Sequence, residues 1–125
     1  MNEEKKKILL AEDEKMLAGI LQDRLAEIGY EVLRAEDGEE GLSSALENNP
    51  DLIITDILLP VMDGVEMIRK IRENGREIPI IILTNLEKVE NIDGIMQEPR
   101  DSVLKKTYFT LERLTQTIKD KVPLS

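Results

Sequence analysis

Carboxylates, one hydroxyl and one ammonium group follow four short apolar runs of this 125-residue chain. In chain order these side chains are Glu12, Asp13, Asp56, Thr84 and Lys105. Ligands of open parallel sheets bind at the carboxyl ends of the strands, so polar residues that follow apolar runs are the first candidates for a site. Each of these residues alone is typical of a solvated helix cap or turn, so the indication of a site comes from their occurrence together.

This set of side chains suits phosphoryl chemistry. Carboxylates a few ångströms apart repel each other, and a hard divalent cation relieves that repulsion. Oxygen-only ligands suit Mg²⁺, which keeps open positions that a phosphoryl group can fill. A carboxylate such as Asp56 can act as a nucleophile and become an aspartyl phosphate. Thr84 and Lys105 would then donate to the phosphoryl oxygens, where negative charge collects.

The composition excludes several other chemistries. The chain contains no Cys and no His, so thiolate nucleophiles, His-based catalysis and Cys- or His-ligated metals are excluded. The net charge of −9 predicts no direct binding to nucleic acid or to an anionic membrane surface. No apolar run approaches the ~20 residues of a membrane span, and we expect a cytoplasmic protein.

The elements that position these residues alternate between strand and helix patterns. Apolar runs at 8–11, 52–54 and 78–83 are typical of strands buried on both faces of a parallel sheet. Weaker runs at 32–33 and 103–104 suit edge strands. Strict alternation of strands and helices predicts an α/β three-layer sandwich with right-handed crossovers.

Helical periodicity predicts five helices between and after these strands. The first ends at Gly29, Asp37 caps the second, and the third spans about 64–73. The fifth begins at Thr110. A short or distorted fourth helix is expected within 87–100, where residues with poor helix propensity interrupt the pattern.

The most specific motif is the segment 56–64, Asp-Ile-Leu-Leu-Pro-Val-Met-Asp-Gly. It resembles the phosphoacceptor loop of the receiver domains of bacterial two-component response regulators, the chemotaxis-receiver type. The resemblance covers about residues 7–121, with charged and short tails at 1–6 and 122–125. It implies a flavodoxin-like fold with a doubly wound, five-stranded parallel sheet in the order 2-1-3-4-5.

The resemblance also implies roles in a magnesium site. Asp56 would be the phosphorylated residue and would help to bind Mg²⁺. Asp13 would bind the ion directly and Glu12 through water, and the backbone carbonyl of Leu58 would be a further ligand.

Thr84 would be the switch hydroxyl, and Lys105 would be the lysine that pairs with the phosphoryl group. The chain departs from the family here, because Lys106 stands where the family has proline and Ser102 stands where it often has an aromatic residue. Strand register favours Lys105 as the lysine that enters the site.

A further inference concerns the lifetime of the aspartyl phosphate. Leu58 and Leu86 lie two residues after Asp56 and Thr84. In relatives these two positions flank the water that hydrolyses the acyl phosphate. Two leucine side chains offer no hydrogen bond to orient that water, so we expect slow self-dephosphorylation.

The predicted function is therefore a phosphoryl-accepting signalling switch rather than a metabolic enzyme. Asp56 would receive the phosphoryl group, in a Mg²⁺-dependent reaction, from a sensor histidine kinase or a histidine phosphotransfer protein. Changed contacts with a downstream protein would follow. One alternative is a pseudo-receiver, which binds proteins without being phosphorylated. The other is a Mg²⁺-dependent phosphohydrolase, against which the absence of a second acidic residue at Leu58 argues.

Overall fold

The computed structural model describes residues 5–124, so the predicted tails at 1–6 and 122–125 lie partly outside the described residues. Five strands form one parallel sheet in the order β2-β1-β3-β4-β5, as predicted, with β2 and β5 at its edges. The strands are β1 (Lys7–Ala11), β2 (Glu31–Ala35), β3 (Leu52–Thr55), β4 (Ile80–Thr84) and β5 (Ser102–Lys105). The described helices are α1 (Lys15–Ile28), α2 (Gly38–Asn48), α3 (Gly64–Glu73) and α4 (Leu111–Lys121).

The sheet separates two apolar layers. Because side chains alternate along a strand, Leu9 and Ile53 face α2 and α3, whereas Ile8 and Leu52 face α1 and α4. All four of these side chains are fully buried. Aliphatic side chains therefore supply most of the core, each stabilising the fold by about 1.5–3 kcal/mol when fully buried.

Local capping signals place the helices where the sequence predicts them. The Asp37 carboxylate accepts a hydrogen bond from the Glu40 N–H at 2.8 Å, and the Thr110 hydroxyl accepts one from the Arg113 N–H at 3.0 Å. Gly29 ends α1 with φ +124°, a conformation that glycine adopts without a steric penalty. None of the helices in residues 5–124 has the length and apolar content to span a membrane.

The prediction of a fourth helix within 87–100 is wrong. Between β4 and β5 the described chain forms turns and one isolated bridge, which joins Asp93 to Met96. Asn91 and Gly94 have φ values of +63° and +85°, in the left-handed region that ends a helix instead of continuing it. The structure therefore has four helices within residues 5–124, and the segment 85–101, which connects β4 to β5, contains none of them.

Candidate functional site

The carboxyl ends of β1 and β3 bring three acidic residues together. These strands are neighbours, with Ala11 paired to Thr55, and the Asp56 N–H donates to the Ala11 carbonyl at 3.1 Å. The residues that follow the two strands therefore meet at one edge of the sheet. Glu12, Asp13 and Asp56 each place a carboxylate oxygen within 4.8 Å of the others. The predicted acidic cluster is thus present.

The three carboxylates differ in their access to solvent. Glu12 is 1% exposed and Asp56 is 7% exposed, whereas Asp13 is exposed. Buried carboxylates are costly unless a cation or hydrogen-bond donors compensate them. The site therefore has two carboxylates inside that need a partner and one at its rim that meets water.

Lys106 supplies that partner. Its Nζ lies 2.6 Å from Asp56 Oδ2 and 2.9 Å from Glu12 Oε1, and only 11% of its side chain is exposed. Glu14 extends the arrangement, with its Oε2 at 3.6 Å from the same nitrogen. One ammonium group thus bridges the carboxylates of two strand ends.

The environment shifts the pKa values of this network. Burial lowers the pKa of Lys106, but its hydrogen bonds to Asp56 and Glu12 outweigh burial and raise it above the ordinary value. Burial raises the pKa of Glu12, and the hydrogen bonds from Lys106 and from the Glu14 N–H offset part of that shift. Lys106 therefore stays cationic at neutral pH and holds the site together.

The prediction that Lys105 enters the site needs correction, because Lys106 lies there instead. Lys105 pairs with Thr84 across the sheet, and its ammonium donates to the backbone carbonyl of Leu86. Leu104 packs on the α1 and α4 side of the sheet, and alternation turns Lys105 away from that side and Lys106 back towards it. Sequence reasoning misplaced the register by one residue, and the doubled lysine was the signal that two assignments were open.

That shift also changes which residue stands three positions before the lysine in the site. It is Val103, which is 45% exposed on the edge strand β5, and not Ser102.

Thr84 is buried at the end of β4 and contacts the loop that follows. Its Oγ1 accepts a hydrogen bond from the Leu86 N–H at 3.2 Å. Among residues 5–124, no hydrogen bond joins this hydroxyl to Asp56. The Thr84 oxygen accepts in this contact, and no hydrogen bond of the described residues uses its hydrogen, which leaves it as a donor for a group on Asp56.

The loop after β3 packs tightly beneath Asp56. The Ile57 N–H donates to Asp56 Oδ1 at 2.6 Å, and the Gly64 N–H donates to the Ile57 carbonyl at 2.7 Å. A Cβ at Gly64 would lie 2.1 Å from the Asp56 carbonyl oxygen, so only glycine allows α3 to start here. Leu58 is 64% exposed, and no hydrogen bond of the described residues ends on its carbonyl oxygen.

This donor set fits Mg²⁺. The three carboxylates offer only oxygen, which is the ligand type that this hard cation prefers, and the Leu58 carbonyl stays a prediction as a further ligand. Asp13 at the rim gives the ion an approach from solvent. Lys106 already contacts two of the three carboxylates, so the ion and the ammonium would share them.

Comparison with known proteins matches residues 8–119 to the family model of the response regulator receiver domain. The alkaline phosphatase synthesis transcriptional regulatory protein PhoP of Bacillus subtilis is 41% identical over 91 residues, 73% of this chain and 37% of that protein. The probable transcriptional regulator ycf27 of Cyanophora paradoxa is 41% identical over 102 residues, 81% of this chain and 42% of that protein. The chain thus spans about two fifths of the length of these curated relatives.

Solved structures of response regulators and chemotaxis proteins are also similar to this chain. Response regulator TrrA of Thermotoga maritima, in complex with Mg²⁺-BeF, superposes with a TM-score of 0.79 at 31% identity, covering 94% of this chain and 99% of that one. Chemotaxis protein CheY4 of Vibrio cholerae superposes with a TM-score of 0.82 at 28% identity, covering 95% and 100% of the two chains.

Proposed function

The chain belongs to the family of response regulator receiver domains, and we propose on that premise that Asp56 accepts a phosphoryl group from a phosphohistidine of a partner protein. The donor would be a sensor histidine kinase or a histidine phosphotransfer protein. The observation that supports this assignment is the buried Asp56 carboxylate, held by Lys106 within a cluster of three carboxylates. No contact of the described residues favours the pseudo-receiver alternative.

The proposed step is a phosphoryl transfer from nitrogen to oxygen. A carboxylate oxygen of Asp56 attacks the phosphorus, a P–O bond forms, and the P–N bond breaks. The electron pair of that bond stays on the imidazole of the donor, which takes a proton from solvent as it leaves. In this step the chain itself gains the phosphoryl group, as expected of a switch.

The surrounding residues would offset the charge that arrives. Lys106, already 2.6 Å from Asp56, would follow the phosphoryl oxygens and remain paired. Mg²⁺ bound at Glu12, Asp13, Asp56 and the Leu58 carbonyl would neutralise further negative charge. The Thr84 hydroxyl would turn away from the Leu86 N–H and donate to a phosphoryl oxygen.

The output would pass through the segment that follows Thr84. Leu86 is hydrogen-bonded to the hydroxyl that would turn, and it lies at the start of the stretch between β4 and β5 that has no helix. A downstream protein would therefore sense phosphorylation through the shape of 85–101.

Intact-mass spectrometry after incubation with acetyl phosphate tests the proposal directly. We expect a gain of about 80 Da, one phosphoryl group, that requires Mg²⁺ and disappears in Asp56→Ala. Asp93→Ala removes an exposed carboxylate outside the site and is the matched control, which should label like the wild type. Absence of labelling in the wild type under every condition would rule the proposal out.

A further inference from the structure

Two adjacent lysines at the end of β5 contact different parts of the molecule. Lys106 reaches the acidic cluster, whereas Lys105 donates to the Leu86 carbonyl and lies 3.8 Å from Glu87 Oε2. The Glu87 side chain is fully exposed, so that ion pair is screened by water and contributes little. The contact of Lys105 with the carbonyl is therefore the one that holds the loop after β4.

The peptide groups of Leu86 are held on both sides. Its N–H donates to the Thr84 hydroxyl at 3.2 Å, and its carbonyl accepts from Lys105. The Lys106 N–H also donates to the Thr84 carbonyl at 2.9 Å, which fixes the backbone of Thr84 against β5. Leu86 thus connects the ammonium of Lys105 to the hydroxyl of Thr84.

We propose that Lys105 is a positioning residue for Thr84. It holds Leu86 where the Leu86 N–H retains the Thr84 hydroxyl, and so it opposes the turn of that hydroxyl towards a phosphoryl group on Asp56. This inference rests on the proposed function. A contact that exists only in the resting arrangement lowers the population of the arrangement that accepts the phosphoryl group.

The inference gives a direction to the effect of mutation. Lys105→Met removes the donor, releases Leu86, and should speed labelling of Asp56 by acetyl phosphate about threefold to tenfold. Lys105→Arg keeps a cationic donor and should label near the wild-type rate. The rate gain should vanish in a Thr84→Ala background, because the hydroxyl that Lys105 restrains is then absent.

The closing experiment measures labelling rates with acetyl phosphate and Mg²⁺ in the wild type, Lys105→Met, Lys105→Arg, Thr84→Ala and the Thr84→Ala/Lys105→Met double variant. Hydrogen exchange of the Leu86 amide, followed by NMR without phosphodonor or metal, is the second readout. We expect faster exchange in Lys105→Met and near wild-type exchange in Lys105→Arg.

The outcomes separate the inference from the proposed function. If the wild type labels but Lys105→Met matches it in labelling rate and in Leu86 exchange, only the role of Lys105 is overturned. The same holds if Lys105→Met speeds labelling equally in the Thr84→Ala background. If the wild type does not label at all, the proposed function fails and the inference fails with it.

Discussion

The Arg72 guanidinium and the Asp101 carboxylate form an ion pair, with Nη2 3.1 Å from Oδ1. Only 1% of the Asp101 side chain is exposed, and its Oδ2 also accepts from the Gln97 N–H at 2.8 Å. Arg72 donates in turn to the carbonyl of Ile95 at 3.0 Å. The pair therefore ties the helix-free segment between β4 and β5 to α3.

Asp101→Asn should destabilise the protein, because it removes the charged partner of Arg72, whose side chain is only 11% exposed. Removing one partner of a buried pair costs about 3–5 kcal/mol, and we expect a loss near the lower end because the amide oxygen still accepts a hydrogen bond. Urea unfolding followed by circular dichroism measures the change. Arg24→Met is the control, since the pair of Arg24 with Glu27 is exposed and should contribute about 0.5 kcal/mol or less. Equal effects of the two variants would contradict this prediction.

Local patterns in the sequence are sufficient for most of the fold. The strands are apolar runs, and Asp37, Thr110 and Gly29 mark helix ends through contacts with residues three or four positions away. Such signals act within one turn of chain and need no knowledge of the rest of the molecule. The strand order followed from the resemblance over residues 7–121, whose most specific motif is the nine-residue segment 56–64.

The parts that sequence reasoning missed depend on contacts between distant residues. The segment 85–101 is held by the contact of its Asp101 with Arg72, and these two residues are 29 positions apart in the chain. The choice between Lys105 and Lys106 depends on how β5 pairs with β4, and a one-residue difference reverses the face to which a side chain points. Neither fact is visible in the composition or periodicity of a single segment.

Tyr30 should make stability fall at alkaline pH. Its hydroxyl is buried and donates to the Val122 carbonyl at 2.7 Å, and burial raises its pKa above the ordinary value. The folded protein therefore keeps a proton that the unfolded chain releases above pH about 10, so stability is full below that pH and falls as the pH rises through the folded pKa. Unfolding free energies measured between pH 8 and about 11 should show the decline, and Tyr30→Phe should show less of it.

Phenolate absorbance checks the same group directly. The chain has two tyrosines and no tryptophan, so Tyr108→Phe leaves Tyr30 as the only chromophore near 295 nm. We expect its midpoint in the folded protein to lie above that of the same variant unfolded in urea. Coincident midpoints would show that the Tyr30 hydroxyl is hydrated in the folded protein and would contradict its burial. Tyr30→Phe should also lose about 1 kcal/mol at neutral pH through the missing hydrogen bond.

Lys106→Met should separate metal binding from phosphoryl acceptance. The ammonium contacts Asp56 and Glu12, so its removal frees two buried carboxylates and should tighten Mg²⁺ binding severalfold. Labelling by acetyl phosphate should slow by about 100-fold, because a donor aimed at the developing charge is lost. Lys70→Met, which removes a half-exposed lysine on α3, is the control and should change neither quantity.

Isothermal titration with Mg²⁺ and the labelling rate form the two measurements for this variant. Tighter metal binding with slower labelling agrees with the geometry. Weaker Mg²⁺ binding together with slower labelling would instead mean that Lys106 holds the carboxylates in place and does not compete with the ion for them.

Leu58→Asn should shorten the lifetime of the aspartyl phosphate. The side chain stands two residues after Asp56 and is 64% exposed, so the change costs little packing. An amide there offers a hydrogen bond that orients a water towards the phosphorus. We expect hydrolysis about tenfold faster, a smaller acceleration than the ~100-fold or more that a general base usually contributes. Leu58→Ala removes the leucine without adding a donor and should keep the wild-type lifetime. The measurement is the decay of the phosphorylated mass after the donor is removed. Equal acceleration by the two variants would contradict the prediction, because only the asparagine can orient water, and would mean that the leucine acts by shielding the site.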